Sequence, residues 1–159
     1  MLLYHGSNVE VRAPHLLKIQ RDLDFGKGFY TTSDLEQVSK WARRTALRLG
    51  QRQSFVSVYE VEDKKLFSLR VLRFESPNKD WLRFVAANRK GNAPVNQWDI
   101  VCGPVANDQT MPVLDLFLDG MYDEEEAIRR LLPQKLKDQY TFKTAEAISL
   151  LQCKEVISL

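Results

Sequence analysis

The chain has few of the residues that build metal centres and disulfide frameworks. Its 159 residues include only two cysteines and two histidines. No CxxC pair and no histidine-rich tract occurs, so the sequence predicts no metal site. Cys102 and Cys153 are far apart in apolar stretches, and we expect both to be reduced thiols in the core.

Long apolar runs and a strong net charge are also missing. No stretch approaches the roughly 18 apolar residues of a membrane span, and MLLYHGS lacks the features of a secretion signal, so we expect a cytoplasmic protein without membrane contact. The formal charge of +2 gives no strong nucleic-acid signature. The cluster Arg43, Arg44, Arg48 and Arg52 has the helical spacing of a solvated face, with partner binding as the alternative.

The size and composition are those of one globular domain. Hydrophobic residues make up 44% and charged residues 28% of the chain, and we predict a single domain over residues 1–159. Apolar patterning predicts a mixed α+β fold. The expected strands are 2–6, 29–32, 55–61, 66–74, 99–106, 139–142 and 156–159.

Local signals add detail to this outline. Strands 55–61 and 66–74 are expected to form a hairpin or to lie side by side, and Pro104 indicates that its strand ends at an edge or a bulge. Helices are expected to begin at Ser33 or Asp34 and at Asn78 or Asp80, with further helices within 108–133 and 144–151.

Three motifs carry a resemblance that covers nearly the whole chain. They are YHGS at 4–7, DFGKGFYTT at 24–32 and QWDIVCGPVAND at 97–108. Together they resemble an uncharacterised bacterial family grouped with the ADP-ribosyltransferases, in the branch with a His-Tyr-Glu type active site. The resemblance implies an ADP-ribosyltransferase-like fold of split mixed β-sheets: two small packed sheets, peripheral helices and an NAD cleft between the sheets.

The same resemblance assigns roles to individual residues, with NAD as the substrate. It implies that His5 hydrogen-bonds the adenosine ribose, and that Gly6, without a Cβ, lets the backbone approach the nicotinamide amide. Tyr30 would lie against the nicotinamide ring, with Thr31 and Thr32 as polar neighbours. His5 and Tyr30 would thus be the first two catalytic residues.

The third catalytic position departs from the family pattern, because Gln139 stands where the class has glutamate. Glutamine can accept a hydrogen bond from a ribose hydroxyl, but it carries no charge and cannot act as a base. Asp138 adjoins it, yet neighbouring strand residues face opposite sides. Asp99 and Asp108 flank a strand, and Asp108 either reaches the site or caps a helix. Arg89 either binds a phosphate or acidic partner or interacts with its own helix C-terminus.

The function implied by the resemblance is transfer of ADP-ribose from NAD to a macromolecule, either protein or nucleic acid. Small relatives of this kind also imply a toxin of a bacterial toxin–antitoxin or phage-defence system, with an antitoxin protein as partner. The Gln139 substitution keeps two alternatives open. One is an NAD- or nucleotide-binding module with weak or no catalysis, and the other is an interaction domain that has lost the pocket.

Overall fold

A computed structural model describes residues 1–18, 20 and 23–159, and in these ranges the chain forms two β-sheets with helices around them. This confirms the mixed α+β class. In chain order the elements are β1 (Leu2–Ser7), β2 (Phe29–Thr31), α1 (Leu35–Arg48), β3 (Phe55–Glu60), α2 (Asp63–Leu66), β4 (Val71–Arg73), α3 (Lys79–Arg89), β5 (Ile100–Pro104), α4 (Met111–Leu118), α5 (Glu124–Leu131), β6 (Asp138–Phe142), α6 (Ala145–Ile148) and β7 (Gln152–Ser158).

The first sheet is antiparallel in the order β1-β3-β7, and the second has the order β2-β6-β5-β4 with β4 and β5 parallel. The outer strand β7 is irregular. Its register shifts so that Glu155 pairs with Val58 and Cys153 with Tyr59, which leaves Lys154 as a bulge. The Lys154 ammonium lies 2.9 Å from the Glu60 carboxylate.

The predicted pairing of strands 55–61 and 66–74 is wrong. β3 lies in the first sheet, whereas β4 lies in the second and pairs with β5. The DKK segment between the two expected strands lies in the short helix α2, which buries Leu66 completely. β4 is joined to its parallel partner β5 by a crossover that contains α3.

Helix α1 confirms its sequence signals at both ends. The Asp34 carboxylate accepts a hydrogen bond from the Gln37 amide at 2.8 Å, and Gly50 follows the helix with a φ of 69°. The second cap prediction is also confirmed, since Asn78 caps α3 through a 2.9 Å bond from the Trp81 amide. The apolar and small residues at helical spacing on this segment also include Leu35, Trp41 and Leu49. The buried face of α1 is narrower than this row and consists of Val38, Ala42 and Ala46.

Pro104 ends β5 at a local edge of the sheet as predicted, because β4 pairs only with residues 100–102 and leaves Pro104 a partner on the β6 side alone. β5 lies between β4 and β6, so it is an inner strand. Pro104 is tolerated because it is the last residue of the strand, and its carbonyl accepts a hydrogen bond from the Trp81 indole at 2.8 Å. Cys102 in this strand is a buried free thiol as predicted, and burial raises its pKa to about 11. Cys153 is also free but only half-buried.

Two main apolar clusters hold the structure together. One lies where the two sheets meet and contains Leu3, Phe29, Tyr59, Ile100 and Phe142, with residues of α6. The other lies on the opposite face of the second sheet, under α3, α4 and α5. The second sheet is therefore covered on both faces. In the described ranges, no helix combines the length and the apolar composition needed to cross a bilayer.

Candidate functional site

Strands β1 and β2 meet at one residue pair and then separate. Tyr4 and Thr32 exchange two backbone hydrogen bonds, of 2.8 Å and 3.0 Å. If this antiparallel register continued, Gly6 would pair with Tyr30. The ladder is broken instead, because His5 Nδ1 lies 2.8 Å from the Tyr30 carbonyl oxygen and occupies that acceptor. We call this place, formed by His5, Gly6 and Tyr30, the split.

The N–H and carbonyl groups of Gly6 point into the split. Backbone groups alternate in direction along a strand, so those of Gly6 face the same side as those of Tyr4, away from β3. No hydrogen bond joins them to another residue in the described part of the chain. Gly6 is nevertheless buried. A buried, unpaired donor and acceptor are energetically costly, which makes this pair a strong binding feature.

Gly6 is also the point of closest approach between β1 and α1. A Cβ on Gly6 would lie 2.6 Å from the Val38 carbonyl oxygen, 2.9 Å from Val38 Cγ2 and 3.2 Å from Ala42 Cβ. Glycine is therefore required for helix packing whatever binds at the split. The close approach at Gly6 in this structure is to α1, and the expected approach to a nicotinamide amide stays a prediction.

The His5 imidazole is held as a neutral hydrogen-bond acceptor. A carbonyl oxygen can only accept, so Nδ1 carries the proton and Nε2 retains its lone pair. The ring stacks on Phe29 with centroids 4.3 Å apart. Burial lowers the His5 pKa below its ordinary value of 6.5, although the bond to Tyr30 partly opposes this shift. The neutral form thus persists at physiological pH.

The Tyr30 side chain lies on the other face of β2 from Phe29, because adjacent strand residues alternate. Its hydroxyl donates to the Gly26 carbonyl, and its ring packs against the cluster beneath α3 to α5. The structure therefore brings His5 to the main chain of Tyr30 and places the phenol beyond the strand. Together they bracket β2, with the imidazole on one face and the phenol on the other.

Gln139 shares the sheet face of the Tyr30 side chain. Tyr30 pairs with Thr141 across β2 and β6, and Gln139 is two residues before Thr141, so Tyr30 and Gln139 are diagonal neighbours. Gln139 Nε2 and Thr141 Oγ1 are buried without a hydrogen-bond partner among the residues that the structure describes. Gln139 thus offers an unused donor at the position where the sequence predicts a catalytic group.

The other polar groups of the second motif are engaged within the protein. Thr31 donates to the Tyr140 carbonyl at 3.0 Å, and Thr32 donates to Asp138 at 3.1 Å. Asp138 also accepts from the Ser33 amide and hydroxyl, at 3.0 Å and 2.5 Å. Thr31 and Thr32 are buried, and their hydroxyls join β2 to β6 by donating these hydrogen bonds.

The remaining charged candidates form ion pairs. Asp99 receives a bidentate contact from Arg70, with both N to O distances 2.9 Å, and this guanidinium lowers the Asp99 pKa to about 2. Asp108 caps no helix and lies 2.7 Å from Arg44, with both side chains well exposed. Arg89 binds no free anion, because its guanidinium contacts Asp24.

The Arg89–Asp24 pair lies at a bend formed by residues 24–28. Each carbonyl of this bend except that of Asp24 accepts a hydrogen bond from a side chain. Lys143 donates to the Phe25 and Lys27 carbonyls, at 2.5 Å and 2.8 Å, and Tyr30 donates to that of Gly26. Gln20 forms two bonds with Gly28, donating to its carbonyl at 2.8 Å and accepting from its amide at 3.0 Å. No sequence motif indicates Gln20 or Lys143, because the fold alone brings them to the bend.

Trp41 is a further residue that the sequence did not identify as functional. Its helical spacing predicted a buried position on α1, yet 54% of the residue is exposed. It lies in the same turn as Val38 and Ala42, the two residues against Gly6. Because β1 approaches so closely there, the contact accepts only small side chains and leaves a tryptophan at the border. Trp41 is therefore an exposed indole on the helix that packs against Gly6.

Two surface cavities lie close to these residues. One of about 180 Å³ borders Cys102, Asp138 and Tyr140, on the sheet face opposite Gln139. The other, of about 520 Å³, lies against Asn8 and residues 51–53, just beyond Gly6 in β1. In the described ranges, no group of three or more His, Cys, Asp or Glu side chains could hold a metal ion.

The comparisons with known proteins give a family and no activity. No curated protein and no solved structure matches the chain. A family model described as a protein of unknown function, DUF3990, matches residues 1–153 and so includes the split, the bend and Gln139. The chain therefore belongs to the DUF3990 family.

Proposed function

We propose that this protein is an NAD-dependent ADP-ribosyltransferase of the ADP-ribosyltransferase-like fold, with its substrate site at the split. The observation that carries the proposal is the unpaired N–H and carbonyl of buried Gly6. The carboxamide of nicotinamide has a carbonyl and an amino group side by side. It can therefore bond to Gly6 in the way that a residue of β2 would if the ladder continued.

The neighbouring side chains suit the rest of the dinucleotide. His5 Nε2 is a neutral acceptor for a ribose hydroxyl. The exposed indole of Trp41 offers a flat surface for the nicotinamide ring, whose positive charge is attracted to an aromatic face. The Tyr30 and Gln139 side chains share the other face of β2 and β6. Tyr30 thus contributes its main chain, whose carbonyl orients His5.

In the proposed reaction the bond between the nicotinamide nitrogen and ribose C1′ breaks, and nicotinamide leaves with the bonding electrons. A nucleophile of a macromolecular acceptor then bonds to C1′ and loses its proton to solvent. The chain contributes orientation and the exclusion of water. Gln139 Nε2 can donate a hydrogen bond to a ribose oxygen, but it provides no negative charge to stabilise the developing cation.

Gln139 is therefore the observation that favours a second candidate, an NAD-binding module with weak or no turnover. Both candidates require that NAD binds, and they differ only in the chemical step. A third candidate, an interaction domain without a pocket, is disfavoured because Gly6 and Gln139 keep buried polar groups unpaired.

Calorimetric titration of NAD into the protein tests the shared requirement. We expect saturable binding that is weakened in His5→Ala and unchanged in His15→Ala, a substitution of an exposed histidine. The protein is then incubated with NAD and cell extract, and released nicotinamide is measured by chromatography. Release distinguishes the transferase from the binding module. Absence of NAD binding by the folded protein would contradict both candidates. Nicotinamide release that persists in His5→Ala would contradict the proposed site.

The biological setting proposed for this activity is a toxin, paired with an antitoxin protein or acting in phage defence. NAD is abundant in the cytoplasm, which is the compartment we propose. Induced expression in a bacterial host tests this setting. Growth arrest that requires His5 supports it, and normal growth at the same level of active protein excludes it.

A further inference from the structure

Charge is segregated along the chain although the total is nearly balanced. Residues 37–59 contain five Lys and Arg and no Asp or Glu, whereas residues 91–128 contain eight Asp and Glu and no Lys or Arg. The first segment holds α1 and β3, and the second holds β5 and α4 and enters α5. Helix α1 and the loop after it therefore form a cationic region, and α1 packs against Gly6 at the split.

The arginines of this region are exposed, and most have no anionic partner. Arg43, Arg48 and Arg52 form no ion pair within the described part of the chain. Arg44 pairs with Asp108, but both side chains are so exposed that water and salt weaken the contact. Arg44 and Arg48 are one helical turn apart, about 6 Å along the axis. Positive charges repeated at this spacing suit a polymer that carries negative charges at regular intervals.

The row of arginines ends at the cavity of about 520 Å³ lined by Asn8, Gln51, Arg52 and Gln53. Its lining is one guanidinium and three amide side chains, with Asn8 donating to Gln51 at 2.9 Å. Amides present donors and acceptors together, as the edges of nucleic-acid bases require. A carboxylate-rich protein would gain little from them, since carboxylates need donors alone.

We infer that α1 and this cavity form a binding surface for single-stranded nucleic acid, with phosphates on Arg48 and Arg52 and a nucleotide in the cavity beside Asn8. The surface adjoins the split, since Asn8 follows Gly6 by two residues and α1 packs against Gly6. If the proposed transferase function holds, on which this last step rests, the bound strand is the acceptor of ADP-ribose. The binding itself needs no NAD.

Fluorescence anisotropy of a short labelled single-stranded RNA of mixed sequence tests the surface, with the full chain and without NAD. We expect saturable binding that weakens as salt increases. In the double variant Arg48→Gln, Arg52→Gln the Kd should rise at least about tenfold, and the salt slope should fall by about 1.4, two phosphates at about 0.7 each. Asn8→Ala should weaken binding without changing the salt slope, because it removes a base contact.

The matched control is Arg129→Gln, Arg130→Gln, which makes the same charge change on α5, where both arginines pair with Glu126. Circular dichroism verifies that each variant is folded. No RNA binding at low salt, an equal loss in the control, or equally tight binding of polyglutamate would each overturn the inference. Loss of NAD binding with RNA binding retained would instead overturn the proposed function alone.

Discussion

The bend at residues 24–28 and the split at Gly6 lie on the two sides of Tyr30. They differ in whether their backbone polar groups are hydrogen-bonded. In the bend, Lys143, Tyr30 and Gln20 supply hydrogen bonds to four consecutive carbonyls. At the split, the Gly6 N–H and carbonyl have no partner among the described residues. Saturated groups contribute to stability, whereas unpaired buried groups are available to a ligand. The comparison predicts that substitutions in the bend alter stability and that substitutions at the split alter binding.

The largest effect is expected from breaking the ion pair that holds the bend. Arg89→Met leaves the Asp24 carboxylate, which is 8% exposed, without its guanidinium. Removing one partner of a buried pair costs about 3 kcal/mol in the free energy of unfolding. Urea denaturation measures this loss, with Arg44→Met as control, since that pair is exposed and contributes about 0.5 kcal/mol. Equal losses in both variants would show that the bend is not held by Asp24.

Gln139→Glu should have the next largest effect, on turnover. A carboxylate at this position can stabilise the positive charge that develops on ribose, so nicotinamide release should increase by about a hundredfold. Initial rates of NAD cleavage measure it, and Gln139→Ala is the control for loss of the side chain alone. An unchanged rate in Gln139→Glu would mean that Gln139 does not face the ribose.

The Lys143→Met substitution tests whether the hydrogen bonds of the bend contribute to stability. The variant leaves the Phe25 and Lys27 carbonyls without their ammonium donor, and we expect a loss of about 2 kcal/mol in stability. Hydrogen exchange at the Gly28 amide should accelerate as well, because Gln20 then holds a looser bend. Lys64→Met, which replaces an exposed lysine of α2, should change neither measurement. Weaker NAD binding by the folded variant, with stability unchanged, would contradict the division between the two regions.

At the split, Trp41→Ala should weaken NAD binding by about tenfold and leave stability nearly unchanged, because the indole is mostly exposed before NAD binds. Leu47→Ala is a matched control on the same helix, where the leucine is 78% exposed. Calorimetry gives both affinities. Equal affinities for the two variants would remove Trp41 from the proposed site.

The smallest effect concerns pH. The His5 pKa is lowered in the folded protein, so unfolded chains take up a proton first as the pH falls below 6.5. Stability should then decrease with falling pH, and NAD affinity should hold at neutral pH and fall only when His5 itself is protonated. His5→Asn should abolish both dependences, measured by urea denaturation and calorimetry across pH. A decline of NAD affinity that begins above pH 6.5 would contradict a neutral His5 acceptor.

Local signals in the sequence predicted most elements because each depends on nearby residues. Asp34 and Asn78 cap their helices through bonds to residues three positions on, which sequence spacing reveals. The placement of β4 failed because its partner β5 is set by a crossover, not by the turn before it. At the site, His5 and Gln139 could be named from motifs. The ion pair between Arg89 and Asp24 could not be predicted, because 65 residues separate them and no local sequence pattern near either residue indicates the other.

The bulge at Lys154 has a consequence for recognition by other proteins. It interrupts the row of donors and acceptors along the outer edge of β7, and its ammonium is tied to Glu60. An extended segment of another protein could not pair regularly with β7, because the spacing of its backbone donors and acceptors is interrupted at Lys154 and a charged side chain lies there. A partner protein is therefore not expected to lengthen the first sheet by strand addition at β7.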